Sequence, residues 1–178
     1  KEIYLSKDID QGYKTIYLEP YPKVNPHVLE EIKNADLVVI GPGGLHTSLI
    51  PNLLVEGVCD AICKSNAKKI FVVNLMNRTG QTTRYKTSDY LKELVRFLGK
   101  DPFNHILVNA QKPPKALIDV YATEGDLVEN DLEDDRVIFA NMLGGLKNDV
   151  KCDLMKRSLI RHDSKKVAQE LMKIVDHL

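Results

Sequence analysis

The chain has 178 residues, and its 25 lysines and arginines balance 25 aspartates and glutamates, for a formal net charge of zero. That length suits one domain, residues 1–178, with a sizeable core. The balance excludes a broad basic footprint for nucleic acid or an anionic membrane, so an anionic ligand has to be met by a local site. No apolar run approaches the roughly 20 residues of a membrane span, so membrane insertion is not expected. No signal peptide is visible. Cys59, Cys63 and Cys152 form neither a disulfide framework nor a zinc pattern, and read as small core residues of a cytoplasmic protein. The chain starts on Lys1 rather than Met, so it is expected to be part of a longer protein whose upstream residues complete the site.

In chain order, residues 1–12 hold at most one short strand, and the alternating residues 13–18 (YKTIYL) read as another. Asn25-Pro26 is a helix start, with Asn as cap and Pro in the first turn. Val28, Leu29, Ile32 and Ala35 form the apolar stripe of that helix. A short β-branched run, residues 37–40 (LVVI), reads as a buried strand, stopped by Gly41-Pro42-Gly43-Gly44. Residues 49–67 read as helical, interrupted at Pro51 and Gly57, with the main start near Ser48. Residues 69–74 (KIFVVN) form a second buried strand, followed by a polar loop through Thr82. Ser88 is the expected cap of a helix over 89–98, and Gly99 its stop. A third strand at 105–110, a helix after Lys112-Pro113-Pro114, a polar loop to Glu133, and a fourth strand at 136–140 follow. Asp163 or Ser164 caps a last helix over 165–177 that buries Val167, Leu171, Ile174 and Val175.

This alternation predicts a three-layer, Rossmann-like α/β domain with a mostly parallel sheet. Ligands of such sheets lie beyond the carboxyl ends of the strands, near a reversal of strand order. Residues 41–48, 74–82, 109–110, 141 and 161–163 are expected to gather there.

The glycine turn is the leading candidate. Gly41, Pro42, Gly43 and Gly44 let a ligand approach the main chain, and Leu45, His46, Thr47 and Ser48 open the following helix, where free N–H groups attract anions. The spacing is neither G-x-G-x-x-G nor a Walker loop. Thr47 and Ser48 read equally as phosphate donors and as helix caps. His46 offers ring stacking or a hydrogen bond, with no partner in the sequence that would make it a base. Asn74 suits a sugar hydroxyl or the loop backbone. Met76, Thr79, Gly80 and Thr82 line the second loop, where Arg78 and Arg84 are guanidinium forks for phosphate. Tyr121 reads as a base-stacking ring or a core tyrosine, and Arg161 as a diphosphate partner or a salt bridge to Asp163. The carboxylates Asp126, Glu129, Asp131, Glu133, Asp134 and Asp135 crowd one loop without calcium-loop spacing and read as a solvated face, so no metal ligand is assigned. No catalytic residue is assigned either, because triads are recognised by geometry.

Three blocks, in order, carry a resemblance. Residues 35–62 (ADLVVIGPGGLHTSLIPNLLVEGVCDAI) are similar to the signature of the gluconeogenesis factor proteins, relatives of 2-phospho-L-lactate transferase. That signature has Ser at the place of Gly44 and Tyr at the place of His46. Asn74-Leu75-Met76, Thr79-Gly80-Gln81-Thr82 and Ser88-Asp89-Tyr90-Leu91 form the second block, with Thr79 and Gln81 as departures. Arg161-His162-Asp163 forms the third. The chain resembles the C-terminal part of such proteins, without their N-terminal glycine-rich loop and the Asp-rich segment after it. The resemblance implies a cytoplasmic regulatory protein that binds a UDP-sugar or related nucleotide and is associated with cell shape and growth on gluconeogenic carbon sources. Its alternative implication is a transferase moving a phosphate-linked group from a nucleotide donor, with magnesium as the cofactor. A homodimer through a helical face is a further expectation.

Overall fold

The four buried apolar runs become four parallel strands. In a computed structural model, which describes residues 8–145 and 160–176, the strands are β1 (Leu37–Ile40), β2 (Lys68–Val72), β3 (His105–Asn109) and β4 (Val137–Ala140). They stand in the order β1-β2-β3-β4, with Val39 beside Ile70, Phe71 beside Ile106 and Leu107 beside Ile138. Each strand is thus added at the same edge of the sheet, and no reversal of strand order occurs among the described strands.

Alternation along the strands divides the core. Ile40, Phe71, Val73, Ile106 and Val108 face one layer, formed by α1 (Pro26–Asn34), α2 (Ile50–Leu53), α3 (Val58–Lys64) and α4 (Thr87–Leu98). Leu37, Ile70, Val72, Leu107 and Ile138 face the other, which α6 (Ser164–Val175) covers with Val167, Leu171 and Ile174. The α/β three-layer expectation is therefore met. A third apolar cluster joins Leu75, Tyr121, Leu143 and Ile160 where α5 (Lys115–Tyr121) packs beyond the carboxyl ends of the strands.

Local signals act largely as expected. Asn25 Oδ1 accepts from the His27 amide at 3.1 Å, Gly99 ends α4 at φ +79°, and Asp163 accepts from the Lys165 and Lys166 amides to start α6. Two readings are corrected. Residues 13–18 form no strand: β propensity needs a neighbouring ladder, and these residues cross the helical layer with Ile16 packed on the core instead. Ser88 does not cap α4. The helix starts at Thr87, where the Asp89 carboxylate accepts from the Lys86 amide at 2.9 Å, while Ser88 donates through its amide and hydroxyl to Asp131. Of residues 1–12, where at most one short strand is expected, 1–7 lie outside the described residues, as do Cys152 and His177, and Ile9–Gln11 is a 3-10 turn. Cys59 and Cys63 lie on one face of α3, their thiols directed at the Phe97 and Leu98 carbonyls.

The core makes one direct prediction. Leu94 is fully buried on α4, so Leu94→Ala should cost about 2–5 kcal/mol in equilibrium denaturation. Met172→Ala on the exposed side of α6 should change stability by less than about 0.5 kcal/mol.

Candidate functional site

The chain leaves β1 through Gly41 at φ +86°, in a region that favours glycine. A Cβ there would also stand 2.6 Å from the Val72 carbonyl oxygen, so the turn lies directly against β2. Gly41-Pro42 is a cis bond. The turn is then tied down by one side chain. Asn74, just past β2, accepts from the Gly43 amide at 3.1 Å and donates to the Gly43 carbonyl at 2.8 Å. The carboxamide acts as a one-residue strand partner for the loop, the contact that the loop-backbone reading of Asn74 expects.

Residues Leu45–Leu49 form a wide π turn that runs into α2, with Pro51 in the first turn of α2. The Ser48 and Leu49 amides both donate to the Gly44 carbonyl. Among the described residues no acceptor is assigned to the Leu45, His46 and Thr47 amides, as is usual for the opening of a helical turn. Leu45 is buried in the core, while Pro42, Gly44 and Ser48 are exposed and Thr47 is half-buried. Ser48 is not the cap residue: Gly44 and Leu49 hold the cap positions, with no side-chain cap hydrogen bond. His46 is buried, and burial lowers its pKa from the ordinary value of 6.5.

The second loop is held by its own network. Tyr90, pushed up to about 12 by burial, donates its hydroxyl proton to Asn77 Oδ1 and accepts from the Thr82 hydroxyl. Asn77 Nδ2 donates to the Tyr85 carbonyl and to Asp126, and Gly125 presses so closely on the Asn77 carbonyl that a Cβ would collide with it. The Thr82 hydroxyl also accepts from the Arg78 amide, Met76 bridges to Leu127, and the Thr79 amide donates to the Glu124 carbonyl. Arg84 sits at φ +59°, with its amide on Asp126. Gly80 is buried, and its carbonyl accepts from Ile9 at 2.8 Å. The strap starting there reaches the first loop, where Tyr13 meets the His46 ring edge-on with centroids 5.4 Å apart. The two loops after β1 and β2 are thereby bridged.

The ends of β3 and β4 adjoin the second loop through the third apolar cluster, where Leu75 and Met76 pack with Tyr121, Leu143 and Ile160. Asn109 accepts from the Met142 amide, repeating the role of Asn74. Leu143 pairs with His162, and the Gly144 amide donates to the Arg161 carbonyl at 2.8 Å, so the Arg161-His162-Asp163 segment closes this end. Arg161 is exposed, whereas Tyr121 is buried in the third apolar cluster, as a core tyrosine would be. A cavity of about 190 Å³ between Pro114, Leu117, Gly144 and Ile160 lies here. A wider one of about 600 Å³ lies away from both loops, between Ile16, Tyr21, Leu54, Cys59 and Phe97. Of the acidic loop, Asp126 and Asp131 are held as described, and Asp134 is kept down to about 2 by its hydrogen bonds with Arg136. Among the described residues no group of three or more His, Cys, Asp or Glu is placed to hold a metal ion, and no helix is long and apolar enough to cross a membrane.

The sequence reading missed Tyr13, Asn77, Tyr90 and Gly125. A polar residue at each strand end is a signal that finds Asn74 and Asn109; nothing in the spacing marks the others, which meet through the tertiary fold.

Residues 2–143 match the family model described as 2-phospho-L-lactate transferase CofD. The chain belongs to this family. A relative from Thermotoga maritima, provisionally named a gluconeogenesis factor, is 46% identical over 151 residues, which are 84% of this chain and 47% of that protein. The gluconeogenesis factor of Bacillus subtilis is 33% identical over 172 residues, 93% of this chain and 51% of that one. A crystal structure of a Bacillus halodurans protein superposes with a TM-score of 0.76 at 32% identity, across 88% of this chain and 49% of that chain. The chain spans about half the length of these relatives.

Two predictions follow from the geometry of this CofD-family chain. Asn74→Ala should cost about 1–3 kcal/mol, because it strips both groups of Gly43 of their partner, and chemical denaturation reads the loss directly. The second concerns pH. Burial brings His162 down to about 4 and lowers His46 as well. Below about 6.5 the unfolded chain therefore binds protons that the folded chain refuses, so folding stability is lost as pH falls from about 6.5 towards 4. His162→Gln should flatten that slope in thermal melts between pH 7 and 5.

Proposed function

We propose that the glycine turn is part of a nucleotide-sugar site, and that the protein is a cytoplasmic, UDP-sugar-binding regulator of the gluconeogenesis factor type, acting in cell shape and growth on gluconeogenic carbon sources. The observation that carries this reading is the turn itself. Three amides with no acceptor among the described residues follow a partly exposed Gly-Pro-Gly-Gly turn at the carboxyl end of a parallel strand, held in place by Asn74. Such amides suit phosphate oxygens without any basic surface. The names of the Thermotoga and Bacillus relatives support the regulatory part.

A second reading, a transferase moving a phosphate-linked group from a nucleotide donor, is supported by the name of the matched family. It implies magnesium. The described residues offer no cluster of their own for the ion, and no step is assigned to it.

Isothermal titration separates the readings. UDP-N-acetylglucosamine is titrated into the 178-residue chain, alone and joined to the remaining half of the Thermotoga maritima relative. Saturable heat with the joined form, without turnover, is the expected result. Absence of heat from both forms contradicts the nucleotide-sugar reading, and consumption of a nucleotide donor with magnesium favours the transferase.

A further inference from the structure

His46 is the side chain that the hydrogen-bond network around the glycine turn leaves out. It is 6% exposed, and neither Nδ1 nor Nε2 has a partner among the described residues. Folded proteins almost always pair such atoms, so an orphaned pair calls for an explanation. The polar groups nearby are spent on one another. Tyr13 donates its hydroxyl to Glu93, Glu93 pairs with Arg96 at 3.6 Å, and the Arg96 guanidinium lies over the Tyr13 ring at 5.2 Å. Tyr13 presents only a ring to His46, at an interplanar angle of 84°. Burial also keeps the imidazole neutral, and a neutral imidazole carries one donor and one acceptor.

We infer that His46 is the specificity contact of the glycine turn, pairing at each of its two ring nitrogens with a different uncharged hydroxyl or amide group on the sugar portion of the ligand. The inference rests on the nucleotide-sugar reading above. A fully ionised phosphate oxygen only accepts, so it can satisfy one of the two nitrogens and leaves the other orphaned. The two nitrogens point away from each other across the ring, so each takes its own partner, and neighbouring hydroxyl and acetamido groups of a sugar supply both an acceptor for one and a donor for the other. The phosphates are then left to the amides that follow Gly44. Tyr13 is the cover over this contact, and the ligand displaces it. Its strap, residues 8–13, is held to the second loop by the Ile9 and Asp10 amides on the Gly80 carbonyl, at 2.8 and 3.4 Å, and its residues are at most half-buried.

His46→Phe keeps a ring of similar shape and removes both nitrogens. The variant should unfold at the same or a higher denaturant concentration than the parent chain, because it relieves two buried unpaired atoms. A clear loss of stability would mean that the protein already satisfies them, and would overturn the inference. In the form that binds in the titration above, His46→Phe should weaken UDP-N-acetylglucosamine by about tenfold or more while leaving UDP within about twofold. His46→Gln, which again offers a donor and an acceptor, should recover part of the loss. Equal losses for both ligands, or none for either, would overturn the specificity role and leave the nucleotide-sugar reading standing. Failure of the parent protein to bind either ligand removes that reading, and this inference with it.

Discussion

The pair of hydrogen bonds between Asn74 and Gly43 is the constraint on which the candidate site depends. Turns rich in glycine are easily formed and hard to hold, because the same freedom that admits a ligand also raises the entropy lost on ordering. Here the problem is solved from the adjacent strand. β2 ends one residue before Val73, and the next side chain extends the ladder sideways into the loop after β1. With Gly41 pressed on the Val72 carbonyl, the turn has two fixed points on β2 before the helical layer begins. Leu45 and Ile50 then anchor its far end in the core. Between these anchors Pro42, Gly44 and Ser48 remain exposed.

The position of this turn in the sheet is equally informative. Doubly wound sheets open a ligand crevice where the strand order reverses. The four strands here run in sequence order, and the turn sits on β1, which has no neighbour on its other side among the described residues and leaves Val39 39% exposed. A strand added on that side would create the reversal at the glycine turn. The chain spans about half the length of its relatives.

Much of the architecture could be read from the sequence because buried parallel strands are continuous apolar runs and because caps act locally. Residues 37–40, 69–74, 105–110 and 136–140 announce themselves by composition, and Asn25, Gly99 and Asp163 by cap chemistry. Residues 13–18 have the same alternation as a strand, yet whether a partner ladder exists is a tertiary fact that six residues do not encode. Ser88 misled for a related reason: Asp131, 43 residues away, competes for it. Within the site, the turn was legible as a strand stopped by glycines, and so was the ambiguity of Asn74. The orphaned state of His46 was not, since it depends on Tyr13, Glu93 and Arg96 arriving from two other segments and pairing among themselves.

The central claim is that the ligand meets the main chain of the glycine turn. Amide hydrogen exchange, followed residue by residue with and without UDP-N-acetylglucosamine, tests it most directly. The account predicts that, in the joined form that binds, exchange slows at the Leu45, His46 and Thr47 amides when the ligand is present. Protection confined to the groove between Ile16 and Phe97, with the turn unchanged, would contradict it.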